Sequence, residues 1–171
     1  ENRDDLPSID ARGNATTGKA KRLKEINLYS KADFFKYGTG AKPVKTVHFE
    51  YSYELCPGAY GNAAQGKLTL TRLWFTYNGN AKGQKNPYVF RYHANNPAYN
   101  LRSYDSWGNY KDPKQNPGYT DIKPVNNADY PFPLQDSSLA AYNAGAWNLD
   151  SIVLPSGGGM RVLYESDDYG F

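Results

Sequence analysis

Strict alternation of apolar and polar residues runs through VHFEYSYEL at residues 47–55. Side chains of a β-strand point alternately to opposite faces, so this period of two indicates a strand that is buried on one face. Pro57 and Gly58 follow at once and predict the end of the strand. The chain is therefore expected to build a sheet around this segment.

Five other segments have the pattern of strands. The segment KLTLTRLWFTY at residues 67–77 changes phase near Arg72, which either a β-bulge or two buried faces would explain. Asn78 and Gly79 after it are a strong turn signal. Spaced in this way, the segments predict about six to eight antiparallel strands. The other four segments are RLKEINLYS, PYVFRYH, WNLDSIVL and MRVLYES, at residues 22–30, 87–93, 147–154 and 160–166.

The composition favours sheets and ordered loops over a helical bundle. Aromatic residues make up 15% of the chain, and 16 of them are tyrosines, which can pack a ring while the hydroxyl stays hydrated or hydrogen-bonded. The 20 basic and 17 acidic residues are interspersed and leave a net charge of only +3, so no nucleic-acid partner is predicted. No apolar run is long enough to span a membrane.

The predicted fold class is mostly β, with an antiparallel sheet built from hairpins. Residues 1–19 are predicted to be a polar linker or extended arm, and residues 20–171 a single β-rich domain or a segment of a larger β-shell. One long connection rich in proline and aromatic residues spans residues 94–136, and we expect it to be ordered and packed on the sheet. At most one short helix is predicted, in DSSLAAYNAGAW, capped by Asp136 or Ser137 and ended by Gly145.

The only glycine triplet lies in the segment LPSGGGM. A phosphate-binding loop would need a helix after it, because the N–H groups and dipole of a helix N-terminus bind the phosphate. Here a strand pattern follows, so we predict a hairpin turn instead, in which Pro155 fixes one φ angle and the glycines supply positive ones. The turn residues are Pro155, Gly157, Gly158 and Gly159.

Nothing in the sequence predicts a catalytic centre or a cofactor. His48 and His93 lack metal-ligand spacing, and the single cysteine, Cys56, is interpreted as a small packed residue rather than a nucleophile. A pairing of Cys56 with His93 stays open on sequence grounds. The segment ending in SDDYG raises a further alternative, because three neighbouring carboxylates could bind Ca²⁺, although a solvated acidic strand end explains them better. These carboxylates belong to Glu165, Asp167 and Asp168.

The best candidate for a ligand site is the aromatic loop NLRSYDSWGNYKD. Aromatic rings beside Asp and Asn side chains can form a platform for sugars. The alternative, which we favour, is that these rings anchor the loop to the sheet. The residues in question are Tyr104, Asp105, Trp107, Gly108 and Asn109.

Two stretches resemble the YD-repeat proteins, also called rearrangement-hotspot (RHS) proteins. YDSWGN, Tyr104 to Asn109, is similar to the family signature Tyr-Asp-x-x-Gly-Asn, and LDSIVLPSGGGMRVLYESDDY, Leu149 to Tyr169, is similar to its hairpin unit. The segments AYNAGAWNL and GKLTLTRLWFTYNGNAKG look like the upstream part of very large surface or secreted proteins of the Bacteroidetes that carry such units. The resemblance covers most of residues 20–171.

The resemblance implies a long, exported, β-rich bacterial chain whose hairpins stack into a spiralling sheet that can close as a hollow, non-catalytic shell. The signature occurs once here, without tandem repeats, which implies a segment or an associated domain rather than a complete shell. The chain starts at Glu1 without an initiator methionine, so we also expect a longer parent polypeptide. The expected function is thus structural, with the rest of that polypeptide or shell as partner. The alternative is a carbohydrate-binding or adhesin-type module that uses the loop around Trp107, with a surface glycan as partner.

Overall fold

The structure is a computed structural model of the chain that describes residues 1–59, 65–105, 107–116, 119–120 and 136–167. These residues form eight strands in two antiparallel sheets, with two short α-helices, and the predicted mostly-β fold class is confirmed. The strands are β1 (Asn2–Ile9), β2 (Ala15–Lys21), β3 (Glu25–Leu28), β4 (Lys45–Ser52), β5 (Thr69–Tyr77), β6 (Tyr88–Tyr92), β7 (Leu149–Val153) and β8 (Gly159–Arg161).

The main sheet has six strands in the order β3-β4-β5-β6-β7-β8, so neighbours in sequence are neighbours in space. Residues that pair directly across two strands share a face. The pairs Val47–Phe75 and Phe49–Leu73 therefore lie on one side, and His48–Trp74 lies on the other. We call the first side the apolar face; it carries Ile26, Val47, Phe49, Tyr51, Leu70, Leu73, Phe75, Tyr88, Phe90, Ile152 and Met160.

A β-bulge lies where the strand pattern changes phase. Glu50 pairs with Arg72 and the next residue, Tyr51, pairs with Leu70, which leaves Thr71 without a partner in the ladder. Of the two explanations left open by the sequence, the bulge is therefore confirmed. The extra residue returns Leu70 to the same face as Leu73, although simple alternation had placed them on opposite faces.

Residues 2–21 form a two-stranded hairpin, β1–β2, and this hairpin includes most of residues 1–19, for which the sequence predicted a polar linker or extended arm. The Asp10 side chain accepts hydrogen bonds from the N–H groups of Arg12 and Asn14, and Gly13 has a φ of +84°, so the segment DARGN turns the chain. Most residues of the hairpin are exposed and Asp5 is its one buried residue, so burial marks no apolar alternation on its strands in the sequence. Asp5 joins it to the main sheet by accepting a hydrogen bond from the N–H of Leu68.

The described residues include two α-helices, one more than the sequence predicted. Helix α2 (Ser137–Ala144) begins after Asp136, whose side chain accepts the N–H groups of Ser138 and Leu139, and it ends at Gly145 as predicted. Helix α1 (Lys31–Tyr37) was not predicted, because its aromatic residues form no buried stripe. No residue of α1 is buried. In the part of the chain that the structure describes, no helix has the length and apolar character needed to cross a bilayer.

The buried residues lie mainly in the connections and not in the strands. The described part of the connection between β6 and β7 meets the segment after β4: Asn96 accepts a hydrogen bond from the N–H of Cys56 and donates one to the carbonyl of Glu54. No large side chain is fully buried among the described residues. The buried set includes Leu55, Cys56, Ala59, Ser103, Asp105, Lys111, Asn116, Asn143, Ala144 and Ala146.

Candidate functional site

The predicted aromatic loop folds into a closed turn. An antiparallel bridge pairs Tyr104 with Tyr110, and the N–H of Asp105 donates to the carbonyl of Asn109 at 2.9 Å. The N–H of Gly108 donates back to the carbonyl of Asp105 at 3.1 Å. Gly108 has a φ of +85°, which favours glycine at this position. We refer to residues 104–110 as the YD turn; Ser106 within it lies outside the described residues.

The carboxylate of Asp105 holds the YD turn together. Its Oδ1 atom accepts the N–H groups of Trp107 at 2.9 Å and Asn109 at 2.8 Å. The residue is only 8% exposed, so its carboxylate serves the backbone of the turn and is poorly placed to bind a ligand from solvent. Lys111 is also buried; burial lowers the pKa of its ammonium group, and the negative charge of Asp105 acts in the opposite direction.

The two aromatic side chains of the predicted ligand site differ in exposure. Tyr104 is 42% exposed, whereas Trp107 is half-buried. Solvent therefore reaches the Tyr104 ring more readily than the indole on which a sugar platform was predicted to depend. The structure brings together Tyr104, Asp105, Trp107, Gly108 and Asn109, and it arranges their backbone and the Asp105 carboxylate as a turn.

The YD turn rests on a tryptophan that the sequence analysis did not single out. The ring of Tyr110 meets the ring of Trp147 edge-on, with centroids 5.4 Å apart. The indole N–H of Trp147 donates to the carbonyl of Pro97 at 2.9 Å, and its backbone N–H donates to the carbonyl of Asn95. Trp147 holds a φ of +59°, which a bulky residue adopts only when its surroundings fix it. No sequence pattern signals this role, because it depends on three distant segments.

Asparagine side chains tie the same segments together. Asn95 donates to the side-chain oxygen of Asn143 at 3.0 Å, and Asn148 donates to the carbonyl of Ala144 at 2.8 Å. Asn143 is 5% exposed. The asparagine-rich composition of the long connection thus supplies hydrogen-bond partners for buried backbone and side chains, which would be costly to leave unpaired.

Cys56 and His93 have separate partners. Cys56 is buried, and burial raises the pKa of its thiol, which disfavours the thiolate needed in a nucleophile. The Nδ1 atom of His93 accepts the N–H of Asn95, and its ring packs edge-on against Tyr142. No hydrogen bond joins the Cys56 thiol to His93 in the described structure.

His48 lies on the polar face of the sheet, opposite the apolar face. Its ring stacks on Trp74 with centroids 5.2 Å apart, and its Nε2 atom shares a hydrogen bond with the hydroxyl of Thr76. Glu25 approaches Nδ1 at 3.6 Å. Among the described residues no group of three or more His, Cys, Asp or Glu side chains is placed to hold a metal ion.

Two of the three carboxylates considered for Ca²⁺ are described. Glu165 and Asp167 are exposed and border an open depression beside Ser137 and Ala141 of helix α2. Asp168 lies outside the described residues. Glu165 and Asp167 therefore lie in an acidic, solvated segment of the chain.

The glycine triplet joins strands β7 and β8. The N–H of Leu154 donates to the carbonyl of Gly158 at 2.8 Å, and the N–H of Gly157 donates to the carbonyl of Leu154 at 2.9 Å. Gly157 alone of the triplet has a positive φ, +87°, while Gly159 is the first residue of β8. Pro155 is exposed in the same turn. A strand follows the glycines, so the helix that a phosphate-binding loop requires is not at this position.

Comparisons with protein-family models, with curated proteins and with solved structures find no match for this chain.

Proposed function

We propose that this chain is a non-enzymatic structural segment of a large secreted or cell-surface bacterial protein, similar to a YD-repeat scaffold, in which further polypeptide covers its sheet. The proposal rests on the apolar face. Its central side chains, such as Phe49 and Phe75, remain half-buried, and Ile26 and Met160 near the two edges are 51% and 52% exposed. A sheet is stable when its apolar face packs against another layer, so this face fits a partner surface.

The two edges of the main sheet support the same proposal. β3 and β8 have four and three residues and occupy the two ends of the sheet. An edge strand presents backbone N–H and C=O groups that can pair with another strand. In a larger β-assembly such edges would continue into neighbouring hairpins, and the single sheet would become part of a longer one.

The arrangement of the YD turn also favours a structural role. Asp105 is occupied by backbone N–H groups, and the turn is attached to the junction of α2 and β7 through Tyr110 and Trp147. Its residues therefore act as a rigid connector. Such a connector supports a structural role for the residues that resemble the YD-repeat signature.

Hydroxyl-radical footprinting tests the proposal by comparing this chain with its longer parent polypeptide. Phe75 and Trp74 are consecutive residues of β5 on opposite faces and serve as a matched pair. We expect Phe75 to be oxidised more slowly in the parent because its face becomes covered, while oxidation of Trp74 changes little. Equal oxidation of Phe75 in both proteins would contradict the proposed packing.

A second function, binding of a surface glycan, is favoured by one observation. Exposed side chains lead into the YD turn: Tyr99 is 48% exposed, Leu101 75% and Tyr104 42%. Tyrosine rings at a surface can stack on sugars, and Tyr104 is better placed for this than Trp107.

Two alanine substitutions separate the structural role from glycan binding. Trp107→Ala should lower the free energy of unfolding by about 2 kcal/mol or more, because a half-buried indole loses its packing. Tyr104→Ala should cost about 1 kcal/mol or less. We expect neither variant to differ from wild type on a glycan array. A stable Tyr104→Ala protein that loses a measurable glycan affinity would establish the binding module instead.

A further inference from the structure

The connection between β3 and β4 forms an exposed apex at one end of the main sheet. We define the apical segment as residues 29–44, which contains α1 and the 3-10 turn Gly38–Gly40. Ten consecutive residues, 31–40, are exposed. The exposed fractions of its aromatic residues are 37% for Tyr29, 51% for Phe34, 78% for Phe35 and 56% for Tyr37.

Helix α1 gains little stability from packing against the rest of the chain. It has seven residues and buries none of them, although isolated helices of this length are unstable in water. Its caps are formed by Ser30, which accepts the N–H of Asp33, and by Gly38. A helix that is capped yet exposes adjacent phenylalanines is typical of an element that meets another surface.

The charge of the apical segment defines the chemistry of that surface. The segment carries three lysines, Lys31, Lys36 and Lys42, and one aspartate, which gives it a net charge of +2. Two of the lysines lie over aromatic rings of the segment: Nζ of Lys31 is 5.7 Å from the Phe35 centroid, and Nζ of Lys36 is 4.9 Å from the Tyr37 centroid. The partner must therefore accept apolar rings and positive charges at the same place.

We propose that the apical segment binds the surface of an anionic lipid bilayer. Phe34 and Phe35 would enter the boundary between headgroups and acyl chains, and Tyr37 would lie at headgroup level. The lysines would extend their ammonium groups to the lipid phosphates and carboxylates. A bilayer fits this exposed segment better than an acidic protein does, because protein partners hold anchor side chains in pockets, whereas Phe35 is 78% exposed and ten consecutive residues around it are exposed.

This proposal is independent of the structural role proposed above. That role concerns the apolar face and the two edges of the sheet, whereas the apical segment is a connection at the end of β3 and β4. Failure of bilayer binding would leave the footprinting result at Phe75 unchanged. Unchanged oxidation of Phe75 in the parent polypeptide would likewise leave bilayer binding intact.

Co-sedimentation with lipid vesicles tests the proposal directly. We expect the chain to bind vesicles of equal parts phosphatidylcholine and phosphatidylserine and to stay in solution with phosphatidylcholine alone. Binding should weaken with added salt, because the screening length falls from about 10 Å at 0.1 M to about 3 Å at 1 M. No binding to the mixed vesicles, or equal binding to both kinds, would overturn the proposal.

Paired variants assign the binding to the apical segment. Phe34→Ser with Phe35→Ser should abolish sedimentation, and Lys31→Gln with Lys36→Gln should reduce the partition coefficient by about fivefold for each lysine. Leu163→Ser is the matched apolar control, since Leu163 is 79% exposed, and Lys82→Gln with Lys85→Gln is the matched charge control. Apical variants that bind as wild type does would refute the assignment.

A reporter variant decides the outcome even if the double serine variant does not fold. The fluorescence of the Phe35→Trp variant minus that of wild type gives the emission of the new indole. We expect this emission to shift to the blue when the mixed vesicles are present, because the indole moves into the acyl boundary. No shift would contradict insertion. If soluble polyglutamate binds the apical lysines while the mixed vesicles do not, the apex recognises an acidic polypeptide and the bilayer proposal is wrong.

Discussion

At the scale of single residues, positive φ angles and buried polar groups occur together around the YD turn. Cys56 and Trp147 have φ angles of +57° and +59°, which non-glycine residues adopt only when neighbouring contacts fix them. The fixing contacts are hydrogen bonds from Cys56 to Asn96 and from Trp147 to Pro97 and Asn95. This part of the molecule is thus specified by polar partners more than by apolar packing.

Removing the carboxylate of Asp105 tests that dependence. Asp105→Ala leaves the N–H groups of Trp107 and Asn109 without their acceptor in a buried turn, and we expect the free energy of unfolding to fall by about 2 kcal/mol. Urea denaturation measures the change. The exposed Asp167→Ala should stay within about 0.5 kcal/mol of wild type. A loss at Asp105 no greater than at Asp167 would show that the turn does not depend on the carboxylate.

At the scale of secondary-structure elements, local sequence patterns predicted the elements whose position depends on neighbouring residues. Alternation placed β4, the phase change near Arg72 marked a bulge, and Asp136 and Gly145 bounded α2. Asn78 and Gly79 have φ angles of +50° and +76°, as their turn signal requires.

Other elements escaped prediction for physical reasons. Helix α1 is wholly exposed and hairpin β1–β2 buries only Asp5, so burial imposes no periodic apolar pattern on their sequences. Ser30 and Gly38 cap α1, but two capping residues without an apolar stripe between them do not predict a helix. In the candidate site, the residues that the sequence analysis proposed lie close together in one turn. Its support by Trp147, Asn95 and Asn143 comes from segments far apart in the chain, which no local pattern records.

The turn between β7 and β8 makes different demands on consecutive glycines. Gly157 has a φ of +87°, whereas the φ of Gly158 lies outside the left-handed region and a Cβ added there would make only ordinary van der Waals contacts. Gly157→Val should lower the free energy of unfolding by about 1 kcal/mol or more, because a β-branched residue is strained there. Gly158→Val is the control and should cost less. Thermal unfolding measures both, and equal melting temperatures would argue against the turn described here.

At the scale of the whole molecule, burial acts on several titratable groups in the same direction. Burial raises the pKa of the Cys56 thiol above its ordinary value of 9.0, and it raises the pKa values of Tyr92 and Tyr110 above 10.0. A raised pKa in the folded state means that the unfolded chain ionises first as the pH rises. Their contribution to stability is complete below the ordinary values and is lost as the pH passes through the folded ones.

Stability should therefore decline in alkaline solution. Lys111 acts in the opposite sense, since burial lowers its pKa below 10.5 and its folded form releases a proton first. It is one group against four, because burial also raises the pKa of Tyr51. We expect the midpoint of urea denaturation to fall between about pH 8 and about pH 11. Cys56→Ala should remove the earliest part of the decline. A midpoint that is constant or rising over this range would contradict the burial of these groups.

The order of strands in the main sheet has a consequence for how the chain assembles. Strands β3 to β6 pair with their sequence neighbours across modest connections, whereas β7 reaches β6 only after residues 93–148. Closing that long connection costs more chain entropy than closing the earlier ones. During synthesis on a ribosome, strands β3 to β6 can form a four-stranded sheet before β7 has emerged. The β7–β8 hairpin then adds to the free edge of β6 and completes the six-stranded sheet.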